Sequence, residues 1–505
     1  MMGKYIKFEY RKTSKTNQAF YKRSAIALVS IFNMSAPNYA SAMEYIASDN
    51  EEINIEGNIT SDTATAAVYI EGNNNTVNIA SDASLYGGSG YRTNGYNTTI
   101  NSGTIQGTQN SSTGQAASVM LPTGGDFTNL AGGKISGASD NIYAGKYSTI
   151  TNAGSITVGT GNSNGSGIYF AKGGEYTGLE SGIIEGKKYG IQFLGEHSNT
   201  LNNAGLISGL TNSIVISGKS SSVLNNSNTG EITSITGDGI LIKDTASVDL
   251  KNSGEITGGN GVAINFSGTG INSLTLDSGS ALNGNVVSNT SDTNKVNLIN
   301  SGTEDANFTG TSASTGFKSL TMEGNDWALT GDINLTGSDE STLRVNSGML
   351  TLSGNVTSAG KTQIQSGGGV LVETTGSLTT PEINTEEGAW FASQGTVIGN
   401  INNSGTVVAY NGLPGNELSG AGLTTLQGNM TNSGTLQLAG GQSGNTYIIA
   451  GDYTGDNGTV VINSELGNDE SLTDKLVIQG NSYGQSSLTV NNIGGMGAET
   501  LQGME

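Results

Sequence analysis

Residues 203 to 256 read NAGLISGLTNSIVISGKSSSVLNNSNTGEITSITGDGILIKDTASVDLKNSGEI, and one phrase occurs in them three times: NAGLI (203 to 207), NTGEI (228 to 232) and NSGEI (252 to 256). The phrase returns on either side as NSGTI at 101 to 105, NAGSI at 152 to 156, NSGTV at 403 to 407 and NSGTL at 432 to 436. LAGGKI (130 to 135) and ESGII (180 to 184) are looser copies. Aligned on Gly133, Gly154, Gly182, Gly205, Gly230 and Gly254, the copies lie 21, 28, 23, 25 and 24 residues apart. Periods of this length with short alternating strands fit a solenoid, in which every coil is hydrogen-bonded to the coils above and below and none is stable alone. Glycine in the phrase is expected to supply a corner of positive φ. The β-branched residue after it then re-enters a strand facing the core.

Between the phrases lie further strands: GIYF (167 to 170), GIQFL (190 to 194), SIVI (213 to 216), GILI (239 to 242) and GVAINF (261 to 266). The inward set Ile168, Ile191, Ile214, Ile240 and Ile264 is expected to stack like on like along the axis. Asparagines at the corners are expected to bond to their copies in neighbouring coils. At about 25 residues per coil and about 4.8 Å between strands, residues 43 to 505 make roughly 18 coils and a rod on the order of 90 Å long. The fold class is therefore all-β, a single-stranded, right-handed parallel β-helix from 43 to 505, with almost no helix.

Composition agrees. The chain has 78 Gly, 4 Pro and no Cys, and only 12% of its residues are charged. Gly, Asn, Ser and Thr in place of Lys and Glu favour turns and strands over helix interiors. Low aromatic content and high net charge also describe disordered chains, but the apolar residues here are patterned. The formal charge of −21 repels phosphate, and no basic stripe with interleaved aromatics occurs, which excludes nucleic acid as a partner.

Residues 1 to 42 read as a signal peptide. They hold Lys4, Lys7, Arg11, Lys12, Lys15, Lys22 and Arg23 against the single acid Glu9, then the apolar run Ala25 to Phe32, then Ala40-Ser41-Ala42, which suits a signal peptidase. The apolar run is well short of the roughly 18 to 20 residues that span a bilayer. Without this segment the chain carries about −27. Export without cysteine means that stability comes from packing and hydrogen bonds alone.

From about Gly440 the sequence becomes specific: YIIAGDYTGDNGTVVINSELG at 447 to 467, TDKLVIQG at 473 to 480 and SLTVNNIGGMGAETLQG at 487 to 503. This segment closely resembles the end of pertactin-like and AIDA-type autotransporter passengers. The matching residues are Tyr453, Thr454 and Gly455, then Thr473, Asp474, Lys475 and Leu476, then Val490, Asn491, Asn492, Gly494, Gly495, Gly497 and Ala498. The resemblance implies β-helix repeats over 43 to 440, capped by an autochaperone-like end of the helix over 441 to 505. It also implies a cell-surface or secreted product of type V secretion, acting as an adhesin or a biofilm and aggregation factor. A translocator β-barrel is expected to follow in that family. No barrel-like alternation of roughly ten-residue segments occurs before Glu505, so a fragment or truncated gene product, periplasmic if no barrel is supplied, is one expectation. Expected partners are surface molecules of host or bacterium, glycan or protein, and further copies of the chain.

Catalytic patterns are weak. GNSNG (161 to 165) satisfies GxSxG without the strand-to-helix context that aims the serine, and its base would have to be His197, the sole histidine. Asp277-Ser278-Gly279-Ser280 resembles the nucleophile loop of chymotrypsin-like passengers but follows the repeats, with no suitable upstream histidine. A polysaccharide-cleaving or polysaccharide-binding β-helix is the stronger rival, with Asp238, Asp244, Asp249 and Glu255 as its acids. Hydrolysis needs two carboxyls at a defined separation, and sugar binding needs aromatic platforms. Neither the EF-hand spacing nor the GGxGxD repeat occurs, GGNGVA (258 to 263) being partial. The expectation is a non-catalytic chain with no catalytic, cofactor or metal residues.

Overall fold

A computed structural model describes residues 28–31, 44–108, 117–158, 165–409, 422–440 and 442–501. They contain 52 β-strands and no helix. The strand pairings are parallel, and they join each strand to its counterpart one coil later, which winds the chain into about seventeen coils. One antiparallel bridge, Ser464 to Thr473, stands outside this pattern. Most of residues 1 to 42, expected to be a signal peptide, and most of GNSNG lie outside the described residues. Within 1 to 42, Leu28–Ile31 forms a strand in parallel register with Glu52–Ile55.

One coil shows how the sequence builds the prism. Tyr189–Phe193 lies in a first sheet, Asn199–Asn203 in a second and Leu206–Gly209 in a third. In the first sheet Ile168, Ile191, Ile214, Ile240 and Ile264 are in direct register, and all five are fully buried. The third sheet carries a second column, Ile135, Ile156, Ile184, Ile207, Ile232 and Ile256. Each fully buried isoleucine stabilises by about 2 kcal/mol relative to exposure. Because side chains alternate across a strand, a slip of one residue would turn a whole column outward.

The asparagine of the repeat is as buried as the isoleucine. Asn203 Nδ2 donates to Asn226 Oδ1 (2.9 Å), and Asn226 Nδ2 donates to Asn252 Oδ1 (2.9 Å). Asn101, Asn129 and Asn152 continue the ladder at 2.8 and 2.9 Å, and Asn403 bonds to Asn432 at 2.8 Å. The same amide closes its own corner, since Asn203 accepts from the Gly205 N–H and donates to the Gly205 carbonyl. In the copy at 228 to 232 the ladder residue is Asn226 and not Asn228, which is exposed on a turn closed by Gly230 N–H to Ser227 O.

Positive φ is not what the repeat glycines supply. Gly133, Gly154, Gly182, Gly205, Gly230 and Gly254 are absent from the left-handed positions, which fall on other glycines such as Gly132 and Gly279. The constraint is close approach: a Cβ on Gly205 would sit 2.3 Å from the Gly182 carbonyl oxygen, and one on Gly154 would sit 2.3 Å from that of Gly133. The corners of successive coils stack so tightly that only a hydrogen fits.

The asparagine column is interrupted by Gly178 and by apolar residues between Asn252 and Asn403, but the stack of parallel strands continues into the segment of specific phrases, where Met430 pairs with Tyr453 and Leu436 with Val460. Tyr453 is buried, and its hydroxyl meets Ser486 Oγ at 2.8 Å. Asp474 of the TDKL phrase is also buried, accepting from the N–H groups of Asn445 (2.9 Å) and Asn463 (2.7 Å). It thereby ties two neighbouring coils together. The last strand of the described residues is Ser482–Gly494. It lies on Tyr453–Glu465 with one edge unpaired among the described residues, and Leu488 and Val490 are exposed.

Glu304 and Asp140 are buried as well. Glu304, 3% exposed, stands in register with the core residue Leu329 and accepts from the N–H groups of Asp305 and Ala306. Burial pushes its carboxyl up to about 7. Burial likewise pushes Asp140 up to about 6, against the opposing hydrogen bonds from Ser166.

The two kinds of buried polar group make separate predictions. Asn226→Ala removes one rung of the amide ladder and should cost about 2–3 kcal/mol in urea unfolding, whereas Asn225→Ala, on the exposed face one residue away, should cost under about 0.5 kcal/mol. Glu304 and Asp140 bind protons more readily folded than unfolded, so stability falls as pH rises between roughly pH 4 and 7. The unfolding midpoint should be higher near about pH 5 than near about pH 8. Glu304→Gln should remove a large part of that difference, up to about 3 kcal/mol.

Candidate binding faces

A solenoid of this kind has no central cavity, so function falls to side chains that point outward from the three sheets. The four acids singled out from sequence do not converge. Asp238 and Asp244 flank the first-sheet strand Ile240–Ile242, Asp249 lies in the second sheet and Glu255 in the third. Each carboxylate is engaged in bonds between coils. Asp238 is buried and accepts from Asn260 (2.8 Å) and Asn265 (3.0 Å), and Asp244 accepts from the Gly218 N–H (3.0 Å). Asp249 accepts from Ser273 Oγ (2.5 Å) and Glu255 from Asn283 Nδ2 (2.6 Å). Such acids replace backbone-like contacts at the surface of the rod.

The serine motifs are placed in the same way. Asp277 pairs with Lys251 at 2.8 Å, and Ser278 Oγ donates to the Ser301 carbonyl. Gly279 takes φ 87° in the turn, and His197 is exposed on a separate turn. Among the described residues no group of three or more His, Cys, Asp or Glu is placed to hold a metal ion.

What the sequence reading missed is an aromatic row on the outer face of the first sheet. Strand register aligns Tyr45, Tyr69, Arg92, Met120, Tyr143 and Tyr169 in six successive coils, followed by Gln192; of these Met120 is buried. Tyr69, Tyr143 and Tyr169 each follow a buried residue of the inward column, as in Val68-Tyr69-Ile70 and Ile168-Tyr169-Phe170. Alternation therefore turns them outward. The Tyr143 and Tyr169 rings are stacked at 5.7 Å with 11° between planes, and Tyr45 and Tyr69 lie 5.5 Å apart. Tyr45 donates to Glu71, and Tyr69 accepts from Asn94. Burial and the neighbouring Tyr143 and Asp140 raise the Tyr169 hydroxyl above its usual range. The signal was present in sequence as a tyrosine immediately after the inward aliphatic residue in Val68-Tyr69, Ile142-Tyr143 and Ile168-Tyr169.

A second feature lies on the outer face of the third sheet. A shallow groove of about 400 Å³ is lined by Ser301, Thr303, Asp326, Ala328, Met349 and Thr351. Beside it Leu371, Ala392 and Val408 cluster with Met349 and Trp390. The Trp390 ring lies across Gly369, where a Cβ would come within 2.0 Å of it. Trp327, the other tryptophan, is buried beneath this face and donates to the Ile299 carbonyl at 3.1 Å.

Comparison with known proteins agrees with the fold and with the terminal phrases. Residues 396–505 match the family described as Autochaperone Domain Type 1. The chain is 33% identical over 145 residues to the probable autotransporter YfaL of Escherichia coli K12, a stretch covering 28% of this chain and 9% of that protein. It is 33% identical over 128 residues to the uncharacterized protein YuaQ of the same strain, covering 25% of this chain and 7% of that protein. It is 44% identical over 57 residues to the adhesin BmaC autotransporter of Brucella suis biovar 1, covering 11% of this chain and 2% of that protein. The matched stretches thus span less than a tenth of each of these relatives. Stacked parallel coils, the Asn403–Asn432 rung that bonds on to Tyr453, and these matches together support an autotransporter passenger whose residues 396–505 match a type 1 autochaperone domain.

Proposed function

We propose that this passenger is an adhesin or aggregation factor, acting by binding and not by turnover. The observation that carries the reading is the outward row of the first sheet, in which strand register aligns two tyrosine pairs, Tyr45 with Tyr69 and Tyr143 with Tyr169, along one line. A rod presenting the same groups at fixed intervals engages an extended or repeated partner at several points at once, which multiplies weak contacts. The acids distributed over three faces, each bonded between coils, suit a scaffold better than a pair of catalytic carboxyls. The name of the Brucella suis relative, an adhesin, points the same way. Partners on this reading are glycans or proteins of host or bacterial surfaces, including further copies of the passenger. A leader over residues 1 to 42 would deliver it to the export pathway.

Cells displaying this passenger on a translocator barrel borrowed from another autotransporter should settle several-fold faster than cells displaying the barrel alone. Soluble passenger added in excess should slow that settling. Equal settling rates would overturn the adhesive reading, and release of new reducing ends from a polysaccharide by the purified passenger would replace it with the enzymatic one.

A further inference from the structure

We propose that the tyrosine row of the first sheet binds an extended glycan chain and that Arg92, set within the row, selects a chain bearing an acidic sugar. This rests on the adhesive reading and names its ligand class. The rings supply the first argument. Sugars dock their apolar C–H faces on tyrosine rings while the phenolic hydroxyls bond to sugar hydroxyls. Parallel in-register coils place these rings at intervals of about 4.8 Å, close to the length of one sugar unit in an extended chain. The row therefore offers aromatic contacts at four of its six steps, in two pairs. Tyr143 and Tyr169 form one pair and Tyr45 with Tyr69 the other, and Arg92 and the buried Met120 occupy the steps between them.

Arg92 supplies the second argument. Its guanidinium lies 5.8 Å from the centre of the Tyr69 ring. Its Nε is buried with no hydrogen-bond partner, and among the described residues it pairs with no carboxylate. Acids greatly outnumber bases in this chain, so an arginine held against an aromatic ring without an acid is charge left for an incoming group. A guanidinium presents paired N–H donors that match a carboxylate. The charges facing it oppose a polyanion: Glu71 bonds to Tyr45, and Asp140 lies near Tyr169. Repulsion from the rest of the rod is largely screened beyond about 8 Å, so one acidic sugar on an otherwise neutral chain fits better than a polymer charged at every unit.

The test uses the full passenger and two probes, a linear pentasaccharide of galactose and N-acetylglucosamine and the same chain ending in one sialic acid, titrated at physiological ionic strength. The sialylated probe should bind about tenfold more tightly. Arg92→Gln, with an unchanged circular dichroism spectrum, should bring it down to the affinity of the neutral probe. The double substitution Tyr143→Ala and Tyr169→Ala should weaken both probes about tenfold or more, and Asn225→Ala on the second sheet should change neither. Equal binding of the two probes by the unaltered passenger, or an undiminished preference in Arg92→Gln, would overturn the assignment of Arg92. If neither probe binds at millimolar concentration while displayed passenger still clumps cells, the glycan inference falls and the adhesive reading stands. Probe binding without clumping would sink the adhesive reading alone.

Discussion

The structure depends on register between coils. Every strand is an edge until the next coil is laid on it, and what aligns the next coil is a column of side chains that repeats in the same order. Isoleucine gives the column its apolar mass, but apolar contact is non-directional and tolerates a slip along the strand. The buried asparagine does not. Its amide must meet a carbonyl oxygen in the next coil and an N–H and carbonyl at its own corner, and a coil displaced by one residue would leave those groups buried and unpaired. A chain with no cysteine thus fixes its alignment with amide ladders and glycine corners that admit no Cβ.

That division of labour explains what the sequence made legible. The inward isoleucines were readable because a two-residue alternation and a repeat of about two dozen residues reinforce one another, and Ile168 to Ile264 stack as the period demands. The asparagine ladder was readable for the same reason, except where an insertion moved it from Asn228 to Asn226. The glycine corner was misread because positive φ and close approach both favour glycine, and sequence does not separate them. The tyrosine row was missed because its members are scattered among irregular repeats. Only the register of whole strands brings Tyr69, Tyr143 and Tyr169 onto one line. The acids were named because of their chemistry, yet they lie on different sheets.

A scaffold of this type separates stability from function cleanly. Inward positions are filled by the column and cannot vary without loss. Outward positions answer only to solubility and to whatever the rod touches. Departures from bland polarity on the outer faces are therefore informative, and they include the tyrosine row in the N-terminal coils, the Trp390 cluster on the third sheet and the exposed Leu488, Val490 and Ile493 of the last strand. In the autochaperone coils Tyr453 and Asp474 turn inward or bond between coils, whereas Val490 faces outward.

Cross-linking between neighbouring coils probes the register most directly, because the chain has no native cysteine. Thr200 and Val223 are in register on adjacent strands of the second sheet, and Asp249 is the next residue in that column. Residues directly opposed in adjacent strands are near enough for a disulfide, whereas two coils, at about 9.6 Å, are too far apart. Thr200→Cys with Val223→Cys should oxidise to an intramolecular disulfide in the folded chain, and Thr200→Cys with Asp249→Cys should stay reduced. Efficient bridging of the second pair, or none in the first, would contradict the stacked and registered prism.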